Sequence, residues 1–252
     1  MKSLFLLLAV ALASATSAQT SKTFDVTDFT GVSVNSGIDA TIEYGATHSV
    51  VVTANADVMD DLKVEVDGRT LKLNIDGGSS WWGWLSGGGA KGQVTAVITT
   101  PQLERVTSNG GADVASAHNW TAEKFTAVSN GGADLSLSVT AEEVEATSNG
   151  GADLTLVVNA KRVEASSNGG ADLIISGTAD HAELSANGGA DVSARKLMCR
   201  TVDASANGAG DVAVSVSESI KARANGGSDI DYYGDPAQVD AKSNGGSDVK
   251  RG

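Results

Sequence analysis

Residues 144–156 of this 252-residue chain read VEATSNGGADLTL, and close copies of this stretch recur through the second half of the sequence. Each copy is centred on a marker, Asn-Gly-Gly-Ala-Asp or a near variant. Successive marker asparagines are separated by 21, 19, 19, 19, 20, 18 and 19 positions. Self-similarity at such a period is typical of repeat proteins, in which each unit stacks on its neighbour. The marker asparagines are Asn109, Asn130, Asn149, Asn168, Asn187, Asn207, Asn225 and Asn244.

Apolar or small residues alternate with polar residues around each marker, which is the period of a half-buried β-strand. The Gly-Gly pair is the expected bend, because glycine readily adopts positive φ. A coil of about 19 residues is too short for a strand-helix-strand crossover between parallel strands. The sequence therefore predicts an all-β, parallel β-solenoid (β-helix) in which strand, Gly-Gly corner, strand and second turn repeat. An antiparallel sandwich is the alternative.

The marker asparagine has two candidate roles. It forms a stacked amide ladder at the corner, or it stands outside in a solvated polar row. The alternation of side chains favours the outside, but a bend at Gly-Gly can reset that alternation. The sequence leaves both roles open.

Residues 19–100 carry β patterns without the full marker. Asn35-Ser36-Gly37-Ile38-Asp39 resembles a degenerate first copy, and Asp67-Gly68-Arg69 is a hairpin signal between alternating apolar runs. Residues 57–62 are expected to form one helical turn. We expect a single β-solenoid domain over 19–252, with N-terminal coils and a cap over 19–100 and marker coils over 101–252.

Residues 1–18 have the pattern of a secretory signal peptide. Lys2 precedes a short apolar run, and small residues follow it up to the expected cleavage site after Ala18, with Ala15 as the other candidate. The apolar run is far shorter than the roughly 20 residues of a spanning helix. We therefore expect an exported protein without a membrane span, in the periplasm, on the outer-membrane surface or outside the cell.

The net charge of −13 disfavours nucleic acid and anionic lipid as partners, because both are bound through basic surfaces. The single cysteine, Cys199, has no partner for an internal disulfide. We interpret it as a small buried hydrophobic residue beside Met198.

Several segments outside the markers resemble one known family. FTGVSVNSGIDA at 29–40, VVVTA at 50–54, VEVDGRTLKL at 64–73 and VTAVITTPQL at 94–103 are similar to the auto-transporter adhesin head GIN domain. The resemblance extends over residues 24–245. It implies a bacterial cell-envelope protein with a right-handed β-helical shape, and it carries over no catalytic residues.

An aspartate follows each marker asparagine after four positions, and stacking in register would align these carboxylates about 5 Å apart along one edge. Neighbouring like charges at this spacing cost roughly 1 kcal/mol per pair even in water. Either local hydrogen bonds and solvent offset this cost, or a divalent cation does, for which Ca²⁺ is the candidate because it prefers carboxylate and carbonyl oxygens. These aspartates, named the aspartate column below, are Asp113, Asp134, Asp153, Asp172, Asp191, Asp211, Asp229 and Asp248.

Three of the four tryptophans, Trp81, Trp82 and Trp84, lie in a glycine-rich loop at 76–92. Clustered tryptophans stack on sugar rings, insert at a membrane interface or anchor a protein partner. The alternative is that the loop folds back to cover the end of the solenoid. We select these three residues as the candidate site for a glycan or a cell-surface protein.

No nucleophile elbow or pair of histidines with metal-ligand spacing occurs in the sequence. A polysaccharide lyase or hydrolase would need a basic residue near paired carboxylates, and Lys161, Arg162 and Arg195 are the candidates. We therefore expect a non-catalytic envelope binding or adhesion module that requires no cofactor. The alternative is a structural scaffold that self-assembles through the solenoid ends.

Overall fold

The computed structural model describes residues 19–76 and 93–252. The leader predicted at 1–18 lies outside these residues and stays a prediction. The N-terminal region contains β1 (Gln19–Phe24), β2 (Gly31–Val34), β3 (Ile38–Tyr44), β4 (Ser49–Asn55), α1 (Ala56–Asp61), β5 (Leu62–Asp67), β6 (Thr70–Ile75), β7 (Val94–Thr100) and β8 (Arg105–Asn109). The marker coils contain β9 (Asp113–Gly131), β10 (Asp134–Gly150), β11 (Asp153–Gly169), β12 (Asp172–Gly188), β13 (Asp191–Gly208), β14 (Val212–Gly226), β15 (Asp229–Tyr233), β16 (Gln238–Gly245) and β17 (Asp248–Arg251).

Successive marker coils pair in parallel, which confirms the β-solenoid and excludes the antiparallel sandwich. β10 pairs with β11, and β11 with β12, and the residues of each marker lie opposite their equivalents in the next coil. Each coil has two arms. In β11 the first arm runs over 153–159 and the second over 162–168, and the pairing skips Lys161 at the turn between them.

Side-chain alternation continues through the Gly-Gly corner and is reset at the other turn. Ser148 and Ala152 are both buried on either side of one corner. At the opposite turn Ala141 and Val144 are both buried although they are three positions apart. The second turn therefore resets the alternation, and both arms direct their Val, Leu, Ile and Ala side chains into one continuous core.

The marker asparagines form the amide ladder at the corner, and all of them except the exposed Asn244 are half-buried there. The Nδ2 of Asn168 donates to the Oδ1 of Asn149 at 2.9 Å, and Asn187 donates to Asn168 at 3.0 Å. The degenerate copy belongs to the same ladder, because Asn109 donates to Asn35 at 2.7 Å across 74 positions of sequence. The remaining bonds join Asn130 to Asn109, Asn149 to Asn130, Asn207 to Asn187, Asn225 to Asn207 and Asn244 to Asn225.

The N-terminal strands cover the first marker coil. β3 and β2 continue the first and second arms in parallel register with β9 and β8. Beyond them β4 runs antiparallel to β7, and β1 runs antiparallel to β4. β5 and β6 form the predicted hairpin, and the predicted helical turn is present as α1.

The first glycine of each marker has a positive φ, and from the third marker on it also lies too close to the preceding coil for a side chain. Gly169 has φ of +88°, and a Cβ placed there would lie 3.1 Å from the carbonyl oxygen of Gly150 in the preceding coil. Gly170, its neighbour, has no positive φ, and a Cβ at that position would meet nothing closer than 3.6 Å.

Gly169→Ala is expected to lower the stability of the protein by about 1–3 kcal/mol, because alanine is strained at this φ and crowds the coil below. Gly170→Ala is the matched control and is expected to stay close to wild type. Urea unfolding monitored by circular dichroism measures both. Equal midpoints for the two variants would contradict this account of the corner.

Candidate functional site

The aspartate column begins the first arm of each coil, next to the corner. Asp134 lies opposite both Asp113 and Asp153, and Asp172 lies opposite Asp153 and Asp191. At the N-terminal end this column borders an open groove of about 620 Å³. Charged and amide side chains that line this groove are Asp39, Gln93, Asp113, Asp134 and Asp153.

The two ends of the aspartate column differ in their hydrogen bonds. Towards the C-terminal end, each carboxylate accepts the backbone N–H of the next aspartate, as Asp191 Oδ1 does from Asp211 at 3.0 Å and Asp211 Oδ1 from Asp229 at 2.8 Å. In earlier coils that N–H donates to a carbonyl instead, as Asp153 N does to Ala133 O at 3.0 Å. Local hydrogen bonds thus occur along the C-terminal part of the column, and the cation alternative stays a prediction.

Partial burial raises the pKa of Asp113 and of Asp172, and the neighbouring carboxylates of the column raise the pKa further. A raised carboxyl pKa means that the folded state binds protons more readily than the unfolded chain. Stability from these groups therefore increases as the pH falls through the raised pKa towards the ordinary value of 3.8. Asp240 is the opposite case, because its hydrogen bond to Arg223 lowers the pKa.

Asp172→Asn is expected to raise the melting temperature at pH 7 by roughly 1–3 °C, since it removes repulsion from Asp153 and Asp191. The gain should shrink as the pH approaches 4, where the wild-type carboxyl is neutralised. Asp240→Asn, which breaks an ion pair, is the control and should lower the melting temperature at pH 7. Differential scanning calorimetry between pH 4 and 7 measures both.

The calcium hypothesis for the aspartate column predicts that Asp172→Asn loses stabilisation by Ca²⁺. If Ca²⁺ binds along the column, millimolar Ca²⁺ raises the melting temperature of the wild type more than that of Asp172→Asn. An equal response of both proteins would remove the basis for a cation at this position.

The second arm carries another stack of like charges, the acidic face, formed by Glu145, Glu164, Glu183 and Asp203 in register. Arg162 donates to Glu183 at 2.8 Å, and this hydrogen bond lowers the pKa of that carboxyl. Lys124 contacts Glu145 in the same way at the other end. Basic residues on the same arm thus neutralise part of the acidic face.

The described residues bring two groups of metal-ligating side chains within 4.8 Å, and both involve the acidic face rather than the aspartate column. One group combines a histidine with two carboxylates, although His181 already bonds Thr201 at 2.8 Å. The first group is His181, Glu183 and Asp203. The second group is Glu143, Glu145 and Glu164. Because Arg162 and Lys124 already pair with members of these groups, the arrangement is more typical of an ion-pair network than of a metal site.

The three basic residues considered for a lyase all contact other side chains, at the second turn, on the second arm or in a bulge. Lys161 contacts Glu142 at the second turn. Arg162 pairs with Glu183, and the guanidinium of Arg195 lies over the ring of Tyr233, 4.2 Å from its centroid. Because these contacts occupy all three side chains, the structure gives the aspartate column no basic partner from this set.

An aromatic cluster, which the sequence reasoning missed, lies where β3 ends beside β9. The rings of Tyr44 and His118 stack with centroids 4.8 Å apart and an angle of 15° between their planes. The rings of His118 and buried Trp120 form a T-shaped pair, with centroids 4.8 Å apart. The sequence carried a signal for this cluster, because the first marker spacing is 21 instead of 19 and the extra residues fall in β9 next to His118.

The tryptophan loop, the cysteine and the membrane span are the remaining features that the sequence addressed. Trp81, Trp82 and Trp84 lie outside the described residues, so their binding role stays a prediction. Cys199 is buried as expected, and burial raises the pKa of its thiol to about 12. Met198, by contrast, is 61% exposed. Within residues 19–76 and 93–252, no helix is long and apolar enough to cross a membrane.

Stacked parallel coils, an internal asparagine ladder and polar outward columns define a β-solenoid repeat protein. The sequence profile of the family described as "Putative auto-transporter adhesin, head GIN domain" matches residues 28–157 and 140–236. The chain belongs to this family, as the resemblance predicted. No curated protein matches the chain.

Solved structures of other proteins share the fold. A "putative adhesin" from Parabacteroides merdae has a TM-score of 0.82 at 19% identity, over 93% of this chain and 96% of that one. A "putative lipid binding protein" from Parabacteroides distasonis has a TM-score of 0.82 at 17% identity, with the same coverage. A "putative adhesin" from the same species has a TM-score of 0.80 at 21% identity, over 93% and 97% of the two chains.

Proposed function

We propose that this chain is a non-catalytic binding or adhesion module of the cell envelope, whose outward faces contact the partner. One observation carries the proposal: the same chemical group recurs at the same place on successive coils. Thr147, Ser166, Ser185 and Ser205 form such a column of hydroxyl groups, next to the acidic face. A surface that repeats at the strand spacing suits an extended or repetitive partner, as solenoid surfaces generally do.

The arrangement of charges supports binding rather than catalysis. A catalytic site needs a nucleophile, a base and an electrophile that converge on one reacting atom. Here the charged groups pair from coil to coil: Arg200 Nε donates to Glu218 at 2.8 Å, and Lys161 contacts Glu142. Such pairs order the surface by neutralising charges between neighbouring coils.

The overall charge restricts the partner to neutral or basic chemistry. A net charge of −13 repels nucleic acid, anionic lipid and acidic polysaccharide. A neutral glycan or a cell-surface protein therefore fits best. The predicted leader at 1–18 and the family support export to the periplasm, the outer-membrane surface or the extracellular space.

Protease treatment of intact host cells tests the location. If the module acts in adhesion to other cells, protease removes it from intact cells, as immunoblotting would show, while a periplasmic marker survives. If the protein is digested only after the outer membrane is opened, adhesion to other cells is excluded. The proposal would then be restricted to binding within the envelope.

The triple variant Trp81→Ala, Trp82→Ala, Trp84→Ala tests the candidate contact loop. Binding of the labelled protein to isolated host envelopes and to whole cells is expected to fall at least tenfold, a loss of about 1.4 kcal/mol or more. Met198→Ala, which removes another exposed side chain, is the control and should bind normally. Unchanged binding of the triple variant would eliminate the loop as the contact site.

Self-assembly is a second candidate, favoured by the exposed final coil. Every residue of β16 is exposed, and Val239 is 46% exposed at a position where earlier coils bury Val202 and Ile220. Analytical ultracentrifugation distinguishes the two proposals. Concentration-dependent association that Val239→Asp abolishes would favour a scaffold, whereas a monomer at all concentrations favours a binding module.

A further inference from the structure

The irregular first marker coil departs from the repeat at one place on the first arm. Ser136 in β10 lies opposite Ala115, and Ser138 lies opposite Asn119, so residues 116–118 of β9 face a single residue. Two extra residues therefore form a bulge between these pairs. Bulges interrupt ladder hydrogen bonds and re-aim side chains, and they are frequent beside binding sites.

The bulge is held by its own hydrogen bonds. Ser116 Oγ donates to the carbonyl oxygen of Ile42 at 2.6 Å and accepts the indole N–H of Trp120 at 2.9 Å. Trp120 is only 2% exposed, so its polar group needs this partner. The hydroxyl thus fixes the bulge to β3 and holds the buried indole in place, and the ring of Tyr44 packs against the indole with centroids 6.4 Å apart.

Above this support, the bulge places His118 against Tyr44. Tyr44 is 60% exposed, which is high for a tyrosine stacked on another ring. The imidazole of His118 stacks on the ring of Tyr44 and forms a T-shaped pair with Trp120. The result is an outward-facing aromatic surface, which we name the aromatic platform and define as Tyr44 and His118.

We propose that the aromatic platform binds a pyranose ring of a neutral glycan. The inference rests on the proposed binding function and names its ligand class and contact residues. The exposed ring of Tyr44 has a negative face that attracts the weakly positive C–H groups on the flat side of a sugar. Stacking on His118 already orients the ring, so little conformational entropy is lost on binding.

Polar groups beside the aromatic platform suit the hydroxyl groups of a sugar. Asn119 follows His118, and its Nδ2 donates to Thr140 Oγ1 at 3.0 Å, which fixes the amide in place. The Tyr44 hydroxyl and the imidazole of His118 are further exposed polar groups. The glycan is neutral because a chain with a net charge of −13 repels uronic acids and sulfated sugars.

Nuclear magnetic resonance titration of the ¹⁵N-labelled protein with neutral oligosaccharides tests the proposal. The probes are the hexamers of maltose-type, cellulose-type, xylan-type and chitin-type chains, with hexagalacturonate as the anionic comparison. At least one neutral hexamer is expected to shift the amide signals of Tyr44, His118 and the Asn119 side chain. Hexagalacturonate is expected to leave these signals unchanged.

Variants then test the contact itself. Tyr44→Ala is expected to weaken binding of that hexamer about tenfold or more, and His118→Ala by a smaller factor. Tyr44→Phe keeps the ring and should stay within about threefold of wild type. Met198→Ala is the matched control, because Met198 is 61% exposed and belongs to β13, four marker coils away. The melting temperature of each variant verifies that the fold is intact.

The proposal is overturned if no neutral hexamer binds, if Tyr44→Ala binds as well as wild type, or if the shifts map elsewhere. Preference for hexagalacturonate would also overturn it.

Failure of the broader binding function can be distinguished from failure of the aromatic platform. If wild type and Tyr44→Ala bind host envelopes equally, only the aromatic platform is eliminated. If wild type binds no envelope preparation, the broader function fails, and the titration still decides the aromatic platform.

Discussion

A single file of asparagine side chains holds the coils in register. Each amide donates to the one below at 2.7–3.1 Å, from Asn244 down to Asn35. An amide can donate to one neighbour and accept from the other, so identical residues stack indefinitely in this way. A shift of one residue between coils would break these bonds and turn the apolar side chains outward, which is why the ladder and the core specify the same register.

The corner beside this ladder imposes the strictest requirement on residue type. The first marker glycine has a positive φ and lies against the backbone of the preceding coil, as Gly208 does against Gly188. A buried hydroxyl completes the corner in most coils, but its source changes along the chain. In the early coils Ser167 and its equivalents donate to the carbonyl of the marker alanine, whereas Ser228 and Ser247 occupy the alanine position itself. The buried hydroxyl at the corner is therefore supplied either by the residue before the marker asparagine or by the residue before the marker aspartate.

Departures from the regular spacing have structural consequences of their own. The spacing of 21 produces the bulge that carries His118, and the spacing of 20 coincides with the irregularity in β13 that presents Arg195 to Tyr233. A regular coil presents only repeated columns, because each residue type recurs at its own position. Inserted residues have no counterpart in the next coil, so they supply the unique groups that recognition of a particular partner requires.

Local pattern and repeat spacing by themselves determined the coil length, the parallel stacking, the hairpin at Gly68 and the alignment of the aspartate column. These features depend on alternation and glycine conformation, both of which are local. Only the tertiary structure decided that the asparagines form a ladder, since that depends on contacts between coils. It also placed Asn35 beneath Asn109 and Tyr44 beside His118, because the members of each pair are 74 positions apart. Between them in the chain lie β4–β7, of which β6 and β7 stack on the other side of β2 and β3. Alternation within one strand carries no information about which distant strand will lie beside it, so the aromatic platform required the folded chain.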